Sequence, residues 1–484
     1  MLRTPLSVTL LLGSLLSIAC ASNPDPGATT AGALAPVPQA GEQEAPSSGT
    51  ALDRVGAPAV GHGSSDAPAS SLLGLEAEIE TTVDRLAPPA IEFLAKIVDM
   101  NSGTMNPAGV REVGRLFERE LSVLGLQTRW IEMPSEVNRA GHLFAEIRGG
   151  EGPTVLLIGH LDTVFEPDSP FQSWEELGDG LAKGPGVSDM KGGDVVILLA
   201  LQALHATGRL GDLNVIVALL GDEEETGDPL TISRQHLVEV ARRSDAALGF
   251  EGGVGGLQSA TVARRGFTDW RLTVRGEQGH SSVIFNDRYG AGAIFEAARI
   301  LTTFYDRLRG EENLTFGAGI LLGGTTVAYD PEADRGSAFG KTNVIPSEVV
   351  ISGDLRALTH EQLNRAKQSM RTIVSENLPR TSARIEFRDS YPPMAPEPRN
   401  LELLEELDQV SRDLGMGPIA PVDPGKRGAA DISFAAQYTA ALGGLGVVGT
   451  GAHTPEETVE LSSIPVMAKR AAILVSRLGS ASSN

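Results

Sequence analysis

Cysteine is almost absent from this chain: Cys20 is the only one in 484 residues, so no intrachain disulfide can form. Basic residues are scarce as well, 40 Lys and Arg against 62 Asp and Glu, giving a net charge of −22. Residues 1–75 hold two basic and five acidic side chains, a net −3, so the remainder carries −19. A basic face for nucleic-acid phosphates or anionic lipid is therefore not expected. No internal repeat is found, which sets repeat architectures aside. The N-terminal apolar run, 6–18, is too short to span a bilayer. What remains is ordinary globular composition, 41% apolar and 21% charged, in a chain long enough for two domains.

The N-terminus accounts for the lone cysteine. Arg3 supplies a positive start, 6–18 an apolar stretch, and Ala19-Cys20-Ala21 the small residues of a processing site. Residues 1–21 read as a signal peptide of an exported protein, periplasmic or extracellular. Cleavage at Ala-x-Ala would release it. The alternative, a bacterial lipoprotein signal with Cys20 lipidated, departs from its pattern only at Ser17 and is favoured. A lipid on Cys20 would then be the only link to a membrane. Residues 22–74 are dense in Ala, Gly, Pro and Ser and read as a disordered tether. About 50 such residues span roughly 40 Å.

Apolar periodicity begins near Leu75. Helices are expected at 86–100 and 106–126, strands at 143–148 and 154–159, and a buried helix at 191–207. Strands at 214–220 and 246–250 complete a rhythm that predicts an α/β layer with a mostly parallel, doubly covered sheet. The rhythm changes near Arg265. A strand at 267–274, a helix at 290–308, strands at 314–322 and 348–357 and a helix at 359–376 suggest a smaller α+β insert with two helices on one face. The first pattern returns with a strand at 385–387, a helix at 401–414, a strand at 445–448 and a helix at 462–478. The expected layout is a catalytic domain in two parts, 75–264 and 379–484, interrupted by a lid at 265–378.

Several strands end in chemistry. His160 and Asp162 leave the run 155–164 two residues apart, so they can face the same way. Asp189 sits in the glycine-rich turn 184–193, Glu223, Glu224 and Glu225 follow strand 214–220, and Glu251 follows strand 246–250. His453 follows the strand expected at 445–448. Each has a bland reading in isolation: a buried His–Asp pair, a helix N-cap, a solvated acidic loop, a turn histidine. Together, two His and several carboxylates at strand ends of an open α/β sheet suit a pair of divalent ions sharing one carboxylate. Imidazole with carboxylate suits zinc, with cobalt or manganese acceptable.

His160-x-Asp162, Gly186-x-x-Asp189-x-x-Gly192, Asp222-Glu223-Glu224, Glu251 and His453 resemble the co-catalytic zinc peptidases. That family includes glutamate carboxypeptidase, acetylornithine deacetylase, succinyl-diaminopimelate desuccinylase and aminoacylase. The resemblance runs from about 86 to 478, with the motifs in the family's order. It implies that His160 and Glu251 hold one metal, Glu224 and His453 the other, and that Asp189 bridges them. It further implies Asp162 as the residue orienting His160, and Glu223 as the general base that moves a proton from water to the leaving amine. In the lid, His280, Asn343 and Arg356 match substrate-binding positions, His280 often acting across a homodimer in relatives. The implied substrates are small peptides or N-acyl amino acids with a free carboxylate.

One register is open to a second count. Measured from the strand, Glu223 is the base and Glu224 the ligand; measured back from Gly227, the pair is Glu224 and Glu225. The strand fixes which side chains emerge, and favours the first. Gly340-Lys341-Thr342 imitates a phosphate loop, but Arg335 stands where that motif needs Gly and a strand entry follows, so nucleotide binding is rejected.

Overall fold

The computed structural model of the chain describes residues 70–331 and 333–480. The signal peptide, Cys20 and the tether up to residue 69 lie outside the described residues. Among the described residues no helix is long and apolar enough to cross a membrane.

The larger sheet has six strands in the order Gln127–Ile131, His142–Arg148, Asn214–Leu220, Thr154–His160, Ala246–Gly249 and Ala440–Leu442. The first two pairings are antiparallel and the other three parallel, so the sheet is mixed and, as expected, mostly parallel. Both faces are covered. Val155, Leu157, Val215, Val217 and Leu219 enter one apolar cluster with the helices Leu75–Val98, Lys191–Ala206 and Ser463–Leu478. The intervening Leu156, Ile158, Ile216, Ala218 and Leu220 enter a second cluster on the opposite face. That alternation is the period-two side-chain pattern of a strand buried on both sides.

The smaller sheet is antiparallel, ordered Thr315–Gly324, Glu348–Ala357, Gly266–Gly276 and Thr381–Asp389. Trp270, Leu272 and Val274 pack with Val349, Ile351 and Leu355 under the helices Ala293–Leu308 and His360–Ser375. Two helices therefore lie on one face, as the sequence pattern suggested.

Three sequence expectations need correction. The strand expected at 385–387 is Thr381–Asp389, and it pairs with Gly266–Gly276 in the smaller sheet. The boundary at 378 therefore falls one strand too early; alternation in a short exposed strand does not say which sheet it joins. The run 445–448 is not a strand, although Leu445 and Gly446 donate main-chain hydrogen bonds to Gly249 and Glu251. A Cβ on Gly446 would meet the Phe250 carbonyl at 2.1 Å, so this stretch runs too close to its neighbour for a regular ladder. The first helix begins at Leu75 and continues through Pro88 and Pro89, because Ile79, Val83, Ala87, Ala90, Leu94 and Ile97 keep one buried stripe throughout. The stretch after Gly324, for which the sequence suggested no element, forms an exposed hairpin, Thr326–Asp330 with Arg335–Phe339, and Gly340-Lys341-Thr342 is its exit.

Candidate active site

The strand Thr154–His160 ends on His160, which is almost fully buried. Its Nδ1 lies 3.0 Å from the Asp162 carbonyl and 3.4 Å from Asp162 Oδ1. This fixes Nε2 to point the other way, 3.3 Å from Asp189 Oδ1 and 3.4 Å from Glu251 Oε1. On the far side of Asp189, its Oδ2 is 3.1 Å from His453 Nε2, which also lies 3.1 Å from Glu224 Oε2. Two three-residue clusters result, His160–Asp189–Glu251 and Asp189–Glu224–His453, and Asp189 belongs to both.

These spacings fit cations. Ligand atoms bound to zinc at about 2.0–2.1 Å in a tetrahedron stand roughly 3.3 Å apart, the separation found at both clusters. Buried His160 Nε2 and Glu224 Oε1 have no hydrogen-bond partner, which is costly unless something else satisfies them. The charges argue likewise. Burial, aided by the nearby Glu251, pushes the Glu223 carboxyl well above its usual range, and burial takes Glu224 to about 7. Contact with Asp189 and Glu224 raises His453 to about 11. Burial opposes charge on His160, yet Asp162, Asp189 and Glu251 raise it overall. Each of these shifts favours a bound proton, on the buried glutamates and on both histidines alike, as expected of a carboxylate-rich pocket without added positive charge.

The loop after Asn214–Leu220 sets the glutamates. Glu223 and Glu224 donate their main-chain N–H groups to Asp162 at 3.0 and 3.1 Å, and Thr104 donates its hydroxyl to the same carboxylate at 2.6 Å. Asp162 therefore holds His160 and the glutamate loop together. Glu224 meets His453, whereas Glu225 points outward, its side chain 63% exposed and 3.1 Å from Arg139. Replacing Asp162 by Asn would turn an N–H toward donors it now satisfies. We expect about a 10- to 100-fold loss of activity, milder than loss of a ligand. Steady-state rates of the variant at saturating zinc check this.

The lid residues are not gathered here. His280 and Asn343 lie close together, Ser281 N–H donating to the Asn343 carbonyl at 2.9 Å, beside the end of the lid sheet where Gly266–Gly276 finishes. Arg356 lies at the other end of that sheet, roughly 25 Å away at about 3.3 Å per strand residue. Its Nε bonds Asp354 at 2.9 Å and its guanidinium stacks on Phe267 at 4.8 Å.

Sequence reading missed Glu457 and Arg264. Glu457 accepts hydrogen bonds from Gly186, Ser188 and Asp189 main-chain N–H groups at 2.9–3.0 Å, clamping the turn that presents Asp189. Its partners are some 270 residues away, so no local pattern marks it. Arg264 is buried, its Nη1 donating to Gly428 O at 3.0 Å and lying 3.4 Å from Ala429 O, while Nε and Nη2 have no partner. Burial lowers its pKa to about 10, and the like charge of Arg427 adds to that, against the opposing pull of Glu251, Glu223 and Asp189. Arg264 sits at the exit from the first catalytic segment, a position that reads as a domain linker in sequence.

Residues 156–477 match the description Peptidase family M20/M25/M40. The chain belongs to that family. It is 25% identical over 395 residues to Carboxypeptidase G2 of Pseudomonas sp. strain RS-16, covering 81% of this chain and 90% of that protein. It is 26% identical over 399 residues to succinyl-diaminopimelate desuccinylase of Alkalilimnicola ehrlichii, covering 78% and 96% respectively. Among solved structures, aminopeptidase PepT of Bacillus cereus superposes with a TM-score of 0.64 at 16% identity, over 81% of this chain and 98% of that one. The Bacillus subtilis YXEP protein, a dinuclear metal binding peptidase from the M20 family, gives 0.58 at 15% identity, over 82% and 99%. At these identities the structural likeness speaks for the fold alone. As an M20 member the chain is a metallopeptidase or amidohydrolase, from a family with dinuclear metal sites.

Proposed function

We propose that this M20 enzyme is a di-zinc carboxypeptidase-type hydrolase that cleaves an amide next to a free carboxylate. The observation that carries the reading is the pair of ligand clusters sharing Asp189, with the Glu223 carboxyl in electrostatic reach of Glu251, His160 and Glu224. His160 and Glu251 would hold one ion, Glu224 and His453 the other, and Asp189 both. Ions held there would supply Lewis acidity, polarising a carbonyl oxygen and lowering the pKa of a water. Glu223 takes the proton from that water and delivers it to the leaving amine. Its buried setting, which favours the protonated carboxyl, suits the second transfer. Arg264, with one bidentate edge unpaired, supports recognition of an anionic substrate group. Resemblance to Carboxypeptidase G2 supports the same substrate class.

A homodimer through the lid is supported by exposed Phe285, Ile294, Phe295 and Leu321 near the open edge strand Thr315–Gly324. A partner subunit would also overcome the separation of His280 and Asn343 from Arg356. Export, with a lipid on Cys20, rests on the N-terminal sequence.

The resemblance to desuccinylases keeps an N-acyl amino acid deacylase as the second reading. A panel of N-acyl glutamates, dipeptides and N-acetyl amino acids, assayed with and without chelator, separates the two. The carboxypeptidase reading expects C-terminal glutamyl substrates to be hydrolysed fastest and chelator to abolish turnover. Chelator-insensitive or absent hydrolysis would overturn the metal-dependent assignment, and a preference for N-acetyl substrates would favour the deacylase.

A further inference from the structure

The chain crosses between the catalytic region and the lid twice, and the crossings are hydrogen-bonded to each other. Arg264 and Met394 exchange main-chain bonds at 2.9 Å, and Phe267 N–H donates to the Tyr391 carbonyl at 2.9 Å. Tyr391 is therefore part of the hinge itself. Its ring is buried against Phe434, with centroids 5.2 Å apart. Its hydroxyl donates to the main-chain carbonyl of Glu223 at 2.9 Å, accepts from Arg234 Nη2 at 3.1 Å and lies 3.3 Å from Thr226 Oγ1.

The peptide unit between Glu223 and Glu224 is thus gripped at both ends. Its N–H, that of Glu224, is held by Asp162, the residue that also orients His160. Its carbonyl, that of Glu223, is held from the hinge by Tyr391. This one plane sets the directions of the base side chain and of the adjacent ligand side chain. Buried Arg234 anchors the same corner by pairing with Asp222 and Asp431. A second tie comes from the lid sheet, where Arg388 lies 3.4 Å from Asp228 in the same loop.

We propose that Tyr391 is a positioning residue that couples lid orientation to the Glu223–Glu224 peptide plane. Rotation of the lid about the two-stranded hinge moves the phenol, and the phenol moves the carbonyl it holds. The role assigned to Glu223 rests on the function proposed above, but the mechanical link does not.

Tyr391→Phe tests it, since the ring packing stays and only the hydroxyl is lost. With the best substrate of the panel, kcat is expected to fall about tenfold with KM within twofold, the size of one lost hydrogen bond felt mainly in the transition state. Amide exchange of the zinc-loaded protein supplies a readout independent of turnover. Coupling predicts faster exchange in the variant both in loop 221–229 and at the hinge amides of Phe267 and Ser390, although no bond from a main-chain N–H was removed. Faster exchange in the loop alone, or wild-type exchange at both, overturns the coupling. If no substrate in the panel is hydrolysed, the functional reading fails while the exchange experiment still decides the coupling.

Discussion

Glu223→Gln is expected to lower kcat by about 10³- to 10⁴-fold while the protein still binds two metal ions, the scale of a lost general base. The substitution keeps size and shape, and the N–H bond of residue 223 to Asp162 is a main-chain bond it leaves alone. What disappears is the only group in the proposed mechanism able to carry a proton from water to the leaving amine. Glu225→Gln is the matched control. Glu225 is an exposed partner of Arg139 and touches neither cluster, so its variant should keep activity within about twofold, as surface pairs usually allow. Metal analysis and steady-state rates of both variants decide between the two registers of the glutamate run. Inactivity of Glu225→Gln with an active Glu223→Gln would shift the base by a residue.

Asp189→Asn should have the larger effect on metal. Asp189 is common to both clusters, and its neutral amide would neither bridge two cations nor balance their charge. Zinc retained after desalting is expected to drop from two ions per chain to fewer than one, with turnover falling more than about 10³-fold. The turn itself should survive, because Glu457 holds it through main-chain N–H groups at 186, 188 and 189. An unchanged melting temperature of the metal-free variant, measured beside metal-free wild type, would show that the loss is one of ligation. Two ions retained in an active variant would remove Asp189 from the bridging position.

How much of this was legible beforehand follows from the range of the interactions involved. Strand-end residues such as His160, Asp189, Glu224 and Glu251 are marked locally: an aliphatic run, a glycine-rich turn or an acidic step announces each one. The alternation of strands and helices likewise announces an α/β layer, since side-chain period is a local property. Pairing partners are not local. Nothing in Thr381–Asp389 says that it borders Gly266–Gly276, and nothing in 445–448 says that Gly446 brings it against Phe250 and Glu251.

By itself, then, the sequence determined the candidate ligands, the candidate base and the family they resemble. Their spacing along the chain is chemical information that needs no coordinates. Only the tertiary structure decided that Asp189 faces both histidines, that Glu224 and not Glu225 meets His453, and that Asp162 holds a loop as well as a ring. It also decided that Glu457, Arg264 and Tyr391 belong to this site. Each of these acts through residues more than 150 positions away or through electrostatic fields, and such contacts exist only once the chain has closed on itself.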